Sequence, residues 1–409
     1  MRIAVIGGGA AGFFAALSAK KYHPKAEVII LEKSSKLLSK VKISGGGRCN
    51  VTHACFKASL LAKFYPRGSK QIKKAFATFN TNHTVAWFKD RGVVLKKEPD
   101  NRMFPVTDSS LTIINCFLDE AHRIGVKIKK ETTVSKLKPL DDKINVVIDG
   151  FDYEYDKVIV ASGGSPKVSG LEWLKNLGHS IVDPLPSLFT FNMPNETIKS
   201  LKGLSVKNAI VRIQGTKLVQ DGPLLITHWG MSGPSILKTS AWGARDLANF
   251  NYKFKAQINW VGISNEDEVR KLLNRHFYSY DKRKIENSNP FDIPSRLWKY
   301  LLIKSELSID KINCELSNKE KNRLINTLLN DNYEVDGKTT FKEEFVTCGG
   351  ISLVDVDMKT MESKIIPNLY FAGEVLNIDG VTGGFNFQAA WTTGYIAGQL
   401  KKSKLFVSN

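Results

Sequence analysis

The 409-residue sequence predicts an α/β protein built around a dinucleotide-binding β-α-β unit, and three observations carry that expectation. "RIAVI" is a short apolar strand that runs into Gly7, Gly9 and Gly12, spaced G-x-G-x-x-G, and then into a helix of small and apolar residues. A second strand, "EVIILE", ends on Glu32, about 20 residues beyond the turn, where such units carry an acid. Near the other end of the chain, "NLYFAGEVLNIDGVTGGFNFQAAWTTGYIAG" offers a strand ending at Ala372-Gly373-Glu374, a loop with Gly380, Gly383 and Gly384, and a helix from about Asn386.

Each position of the first unit has a physical reason. Gly7 permits the tight turn, Gly9 lets a diphosphate approach the backbone, and Gly12 lets the helix pack on the strand. Ala10 and Ala11 sit in the first helical turn, where the N-terminus supplies partial positive charge. Glu32, followed by Lys33, can accept hydrogen bonds from both ribose hydroxyls and would repel a 2′-phosphate. The small residues Ala161, Ser162, Gly163 and Gly164 after "VIV" would let the chain pass a bound dinucleotide unobstructed.

A cofactor touched at both ends of the chain points to FAD, because NAD alone would not need the second element. Its adenine end would occupy the first turn while Gly373 and Glu374 meet the ribitol side. The last helix, entered through Gly383, Gly384, Phe385 and Asn386, would aim its N-terminus at the flavin pyrimidine ring and stabilise the negative charge of the reduced form.

Between these ends, Thr112 to Ile124 reads as an amphipathic helix stopped by Gly125. Two antiparallel strands follow a segment containing Thr133 and Val134, taken as cofactor-side, and return to the buried "VIVA". From about Pro184, short alternating segments such as "NAIVRIQG" and "NYKFKAQINWV" suggest a small β-domain, and about Asn265 to Asn332 is helical and highly charged. Strand character returns at "KEEFVTCGGISLVDV". The expected division is 1–185 and 349–409 for the cofactor domain, 186–262 for the β part of an insert, 263–334 for its helical part, and 335–348 for a return strand.

The bulk numbers exclude other classes. A 42% hydrophobic and 24% charged composition excludes disorder over most of the length. Apolar runs are strand-length, and the opening one is too short for a secretory signal, so a cytoplasmic protein without a membrane span is expected. Five scattered cysteines without a C-x-x-C pair indicate neither a disulfide framework nor a zinc site. The net charge is +19, and the first hundred residues hold 19 Lys and Arg against 5 Asp and Glu. A solvated basic surface is the favoured reading of that excess, nucleic-acid binding the less favoured one.

"GGGAAG", "SGGGRCNVT", "NRMFPV", "VIVASGGSP", "THWGMSGPSIL" and "AGEVLNIDGVTGGFNFQAA" together resemble a bacterial flavoprotein family associated with aminoacetone-oxidase-like enzymes and bile-acid enone reductases. The resemblance spans nearly the whole chain. It implies a glutathione-reductase-like FAD-binding Rossmann domain interrupted by an insert of a small β-barrel and a helical subdomain. It assigns Ser44, Gly45, Gly46, Gly47, Arg48, Cys49 and Asn50 to the flavin site, the glycines passing the cofactor and Arg48 and Asn50 donating near phosphate or flavin. Cys49 beside Arg48 could be a lowered-pKa thiol, but the packed thiol is the favoured reading. His228 in "THWGMSGP" and Arg102 in "NRMFP" are candidate substrate-side residues, a proton shuttle and an anion anchor. The family often carries an aspartate where this chain has Asn377, which puts a catalytic carboxylate there in doubt, while Asp379 remains.

The expected function is an FAD-dependent oxidoreductase exchanging hydride between flavin N5 and a small organic substrate, with NAD(P)H as a possible transient donor. Alternatives are an FAD-containing RNA-binding or RNA-modifying protein and a non-catalytic redox sensor. The sequence leaves substrate, acceptor and oligomeric state open.

Overall fold

The computed structural model describes residues 1–339 and 346–403, and it opens with the β-α-β unit read from the sequence: β1 (Arg2–Ile6), α1 (Ala10–Tyr22) and β2 (Glu27–Leu31). The chain divides into two compact units, Met1–Ser187 with Phe341–Asn409, and Leu188–Thr340.

In the first unit, α2 (Ser39–Gly47) precedes two short helices, α3 (Ala58–Leu61) and the basic α4 (Ser69–Phe76). The expected amphipathic helix forms at Ser110–Arg123. Later strands are β3 (Lys127–Lys129), β4 (Lys157–Val160), β5 (Val356–Asp357), β6 (Glu362–Ser363) and β7 (Leu369–Phe371), and the unit closes with α5 (Phe385–Gly398). The sheet order is β5-β6-β7-β4-β1-β2-β3, parallel from β7 to β3. Its central strand is apolar on both faces, with Ile3, Ala4 and Val5 fully buried, as a doubly covered parallel strand requires. β7 therefore completes, beside β4, a sheet begun at the N-terminus. The antiparallel strands Val134–Pro139, Ile144–Ile148 and Phe151–Tyr155 lead back into β4.

Helices α1 and α5 lie side by side because two glycines permit it. A Cβ on Gly394 would fall 2.7 Å from the Ala11 carbonyl oxygen, and one on Gly398 2.4 Å from that of Ala15. Ser18 Oγ adds a hydrogen bond to the Tyr395 carbonyl at 2.7 Å. Since 394 meets 11 and 398 meets 15, the helices run parallel. The N-terminus of α5 projects beyond that of α1 by about eight residues, about 12 Å at 1.5 Å per residue.

The second unit is a seven-stranded antiparallel sheet in the order Asp331–Asp336, Lys253–Asn259, Ser205–Ile213, Val219–Ile226, Gly230–Ser232, Thr190–Asn192, Lys338–Thr339. Helices Glu266–Ser279, Ser295–Lys304 and Asn318–Asn330 share its core around Trp260 and Trp298. Two expected boundaries differ from what is found. Residues 331–334, assigned to the helical part, belong to an edge strand, because "DNYEVD" alternates buried and exposed. Asp331 anchors it, accepting from Trp260 Nε1 at 2.8 Å and Tyr333 OH at 2.5 Å. The single return strand expected at 335–348 is instead the end of that strand, the separate Lys338–Thr339, and Thr347–Ile351, which pairs with Ile181–Pro186 in the first unit. Residues 340–345 lie outside the described residues. Among the described residues, no helix is long and apolar enough to cross a membrane.

Candidate functional site

The predicted residues of the first unit gather at the C-terminal ends of β1, β4 and β7, where open parallel sheets bind ligands. Gly7 sits at φ 111°, and a Cβ there would strike the Ala161 carbonyl oxygen at 2.4 Å. Gly12 is as constrained, its Cβ position 1.9 Å from the Gly7 oxygen. Gly9 differs: its backbone is extended (φ −92°, ψ −169°) and nothing lies within 4 Å of its Cβ position. Gly9 is the N-cap of α1 and no side chain caps that helix, so the amides of Ala10, Ala11 and Gly12 carry its positive end.

Glu32 stands over this turn. One carboxylate oxygen accepts from Gly8 N–H at 2.7 Å, and the other from Ser34 N–H and Oγ, both at 2.8 Å. Lys33 is exposed beside it. Thr132 N–H donates to the Glu32 carbonyl at 2.9 Å, which brings exposed Thr133 and half-buried Val134 alongside.

Across the sheet, Gly373 (φ 77°) brings its backbone against α1, with a Cβ position 2.6 Å from the Ala11 methyl. Glu374 accepts from Thr347 N–H at 2.8 Å and pairs with Lys40 of α2 at 2.7 Å. Gly164 is required there, since its Cβ would fall 2.2 Å from Thr347 Oγ1 and 2.7 Å from Glu374 Oε1. Gly163 (φ 79°), between Ser162 and this contact, faces open space. Thr347 Oγ1 is buried with no hydrogen-bond partner among the described residues.

The glycine-rich stretch of α2 departs from helical geometry at Ser44 (ψ 147°). Gly45, Gly46 and Gly47 follow at φ 59°, 70° and 83°, a left-handed run that side-chain-bearing residues rarely sustain. Gly45 packs on Phe104, whereas Gly46 and Gly47 have nothing within 4 Å of their Cβ positions. Cys49 is fully buried and its thiol is pushed up to about 12 by burial, so it is no ready thiolate. The Asn50 amide accepts from Gly384 N–H at 3.0 Å and donates to the Thr52 carbonyl at 3.1 Å, fastening this loop to the start of α5.

The entry to α5 repeats the arrangement at α1. Gly383 and Gly384 take φ 126° and 91°, and Gly384 caps α5 with no side-chain cap. Phe385 stacks on Phe64 at 4.4 Å and on His53 at 4.5 Å, and its carbonyl accepts from Tyr65 OH at 2.6 Å. His53 Nδ1 lies 3.1 Å from the Gly383 carbonyl oxygen.

Three of the predicted residues have protein partners. Arg48 is taken up by Glu98 at 2.6 Å and Asp108 at 3.4 Å, over the Phe104 ring, because these carboxylates reach it first. Arg102 pairs with Asp100 at 2.6 Å and Glu98 at 3.3 Å, so it is a shared member of this ion cluster rather than an open anion anchor. The Asn386 amide spends its oxygen and nitrogen on the Gly380 amide and carbonyl, at 2.8 and 2.9 Å, and so shapes the loop before α5. Arg102 stands directly across the strand pair from His53. His228 belongs to the second unit, exposed after the strand Val219–Ile226, with its ring edge-on to Trp229.

Sequence reasoning missed His53, Lys40 and a buried pair, Arg67 and Asp379. Arg67 Nε donates to Asp379 at 2.6 Å, its Nη2 reaches the other oxygen, and Ser187 Oγ donates to the same carboxylate. Burial pushes the Asp379 carboxyl up, opposed by Arg67. Neighbouring Asn377 keeps a buried side-chain oxygen without a partner among the described residues.

Two glycine-capped helix N-termini, parallel and staggered, now stand beside a glycine-lined floor. The sequence of residues 1–400 matches a family model described as "HI0933-like protein Rossmann domain". The chain belongs to the HI0933-like family. It is 26% identical over 406 residues to the 3-dehydro-bile acid delta(4,6)-reductase of Clostridium scindens, covering 97% of this chain and 98% of that one. It is 25% identical over 405 residues to the ribosomal RNA dihydrouridine synthase of Escherichia coli, covering 97% and 96%. Its fold is similar to that of the 3-ketosteroid-delta4-(5alpha)-dehydrogenase from Rhodococcus jostii, with a TM-score of 0.51 at 13% identity, covering 97% and 96%.

The HI0933-like chain is a flavin-dependent oxidoreductase with FAD as its cofactor. The residues present fit that group. Gly9, Gly46, Gly47 and Gly163 leave open space at their Cβ positions, and the orphaned Thr347 hydroxyl has an unmet hydrogen bond at the Glu374 end.

Proposed function

We propose that this flavoprotein reduces a carbon–carbon double bond conjugated to a carbonyl group, taking its electrons from NAD(P)H in the cytoplasm. The observation that carries the cofactor's placement is the stagger of about 12 Å between the uncapped N-termini of α1 and α5. A diphosphate at one and an electron-accepting ring at the other, joined by a sugar-alcohol arm, span such a gap.

In this reading Gly7, Gly9, Ala10, Ala11 and Gly12 hold the diphosphate, and Glu32 with Thr133 and Val134 holds the adenosine end. Ala161, Ser162, Gly163, Gly164, Gly373 and Glu374 line the ribitol arm. The loop from Ser44 to Gly47, with Cys49 and Asn50, would hold the ring. Bound FAD supplies hydride transfer at N5. The first-turn amides of α5 would stabilise negative charge on the reduced ring. His228 is proposed as the substrate's proton shuttle.

The reaction class is supported by the two relatives: a delta(4,6)-reductase and a dihydrouridine synthase are both named for saturating a double bond, and both bonds are conjugated with a carbonyl. Hydride goes to the β-carbon and a proton to the α-carbon, and NAD(P)H restores the two electrons.

The test is an anaerobic visible spectrum. Addition of NADH or NADPH bleaches the flavin, and a conjugated enone or a uridine-containing RNA then restores the yellow form without oxygen. A flavin bleached only by an amine or alcohol, and reoxidised only by oxygen, overturns the reading in favour of an oxidase.

A further inference from the structure

Between α3 and α4, three residues grip the loop that leads into α5. Phe64 accepts from Val381 N–H at 3.0 Å through its carbonyl, Arg67 Nε donates to Asp379 at 2.6 Å, and Tyr65 OH donates to the Phe385 carbonyl at 2.6 Å. Gly380 lets the loop close on this turn, since a Cβ there would fall 3.2 Å from the Tyr65 ring. The first two contacts satisfy groups that burial would otherwise strand, the Val381 amide and the Asp379 carboxylate.

The third contact is surplus to that need. Phe385 is the first residue of α5, so its carbonyl accepts within the helix from the N–H four residues on. Tyr65 adds a second hydrogen bond to an oxygen that has two lone pairs. The donor is fully buried, its ring against Phe76 at 5.5 Å and edge-on to Phe385 at 6.2 Å. Burial pushes the phenol well above its ordinary value, so it stays protonated and donates. The oxygen it meets also belongs to a particular peptide group. The Phe385 carbonyl and the Asn386 N–H are two ends of one amide, and a hydrogen bond to the oxygen draws electron density from the nitrogen and strengthens the N–H as a donor. That N–H stands in the first turn of α5, where the helix supplies no acceptor and no side chain caps it.

We propose that Tyr65 is a positioning residue for the flavin chemistry: by polarising the Phe385–Asn386 peptide it makes the N-terminus of α5 hold the electron-rich, reduced ring more tightly than the oxidised one. Tyr65 acts through that peptide and need not touch the cofactor. Its role rests on the placement of the ring end at α5, and it holds whichever substrate the ring reduces. The grip of Phe64 and Arg67 on either side keeps the loop from drifting off the hydroxyl.

The test is the midpoint potential of the flavin, read by equilibration of the FAD-loaded full chain with a redox dye, beside melting of the apoprotein. Tyr65→Phe keeps the ring and removes the donor, and the two-electron reduction equilibrium is expected to fall about three- to tenfold, which is about 15–30 mV more negative. Tyr65→3-fluorotyrosine, a stronger donor of nearly the same shape, is expected to move the potential the other way. A side chain that only packs would alter apoprotein melting and leave the potential where it was. A Tyr65→Phe potential equal to wild type, or shifts of the same sign in both variants, overturns the proposal. The fluorinated variant, which keeps the hydroxyl, decides by the sign of its shift if Tyr65→Phe does not retain FAD. Bleaching by NAD(P)H and recovery with an enone are read on the same preparations. An intact cycle with an unmoved potential fails this role alone, and opposite shifts without the cycle fail the reductase reading alone.

Discussion

Replacing Gly9 by valine tests the placement of the diphosphate while asking little of the fold. Its φ of −92° and ψ of −169° are open to any residue, and its Cβ position has nothing within 4 Å. The apoprotein should therefore lose only the difference between glycine and valine at a helix N-cap, about 1 kcal/mol or less. The cofactor should lose far more. Valine puts three carbons in front of the first-turn amides, and displacing a diphosphate from two charge-assisted hydrogen bonds costs about 3–6 kcal/mol, or about a hundredfold to ten-thousandfold in affinity. Gly12→Ala is the opposing control, because its Cβ would stand 1.9 Å from the Gly7 carbonyl oxygen and the turn itself must shift. Such overpacking costs about 1–3 kcal/mol or more whether or not FAD is present. The assays are far-UV melting of the two apoproteins and titration of FAD by quenching of its fluorescence. A Gly9→Val protein that keeps wild-type FAD affinity, or one that melts as low as Gly12→Ala, would falsify the assignment of α1 to the diphosphate.

The buried pair gives a pH-dependent prediction. Arg67→Met leaves the Asp379 carboxylate buried and uncompensated, at a cost of about 3–5 kcal/mol near neutral pH. Burial raises that carboxyl, so its neutral form is the one the fold tolerates, and the deficit relative to wild type should shrink as pH falls through the raised pKa. Urea midpoints near neutral pH and at about pH 5 check this, and a deficit independent of pH would mean that Asp379 is not the charge left behind. For Cys49 the window is alkaline. Its thiol, raised from 9.0 to about 12, stays neutral in the fold, so its contribution is complete below pH 9 and is lost as pH rises toward 12. The stability advantage of wild type over Cys49→Ala should fall by about 1.4 kcal/mol per pH unit above 9. A Cys49 that is alkylated by iodoacetamide in the native protein at neutral pH would contradict the buried thiol.

How much was legible depended on the range of the interaction. Gly7, Gly9, Gly12 and Glu32 could be read because strand, turn and helix are local, and the spacing of such a unit is set by its own geometry. The pairing of α1 with α5 joins residues more than three hundred positions apart, although its sequence signal, Gly394 and Gly398 four residues apart in one helix, was in view. The partners of Arg48 were out of view for the same reason. A guanidinium next to a glycine loop suits a phosphate, but Glu98 lies fifty residues away in the chain and 2.6 Å away in space. At Asn386, position at a helix start suggested a ligand contact, and what the sequence did not show is that the amide bonds the backbone six residues before it. In the second unit, the helical run before Asp331 hid a change of period that only the alternation of "DNYEVD" reveals.

Charge is where the two levels of reading divide most sharply. The sequence gives the sign and size of the excess in the first hundred residues, but it weights every cation alike. Folding sorts them. Arg48 and Arg67 go to carboxylates brought in by later segments, and Lys40 closes on Glu374, so these three brace the site and contribute little to the outside field. The lysines of α4 cannot be neutralised locally, because no acid exists in their own segment and the helix spends its apolar side on the core, leaving the charged side in water. A partner meets only that residue of the charge. The total of +19 does not predict it.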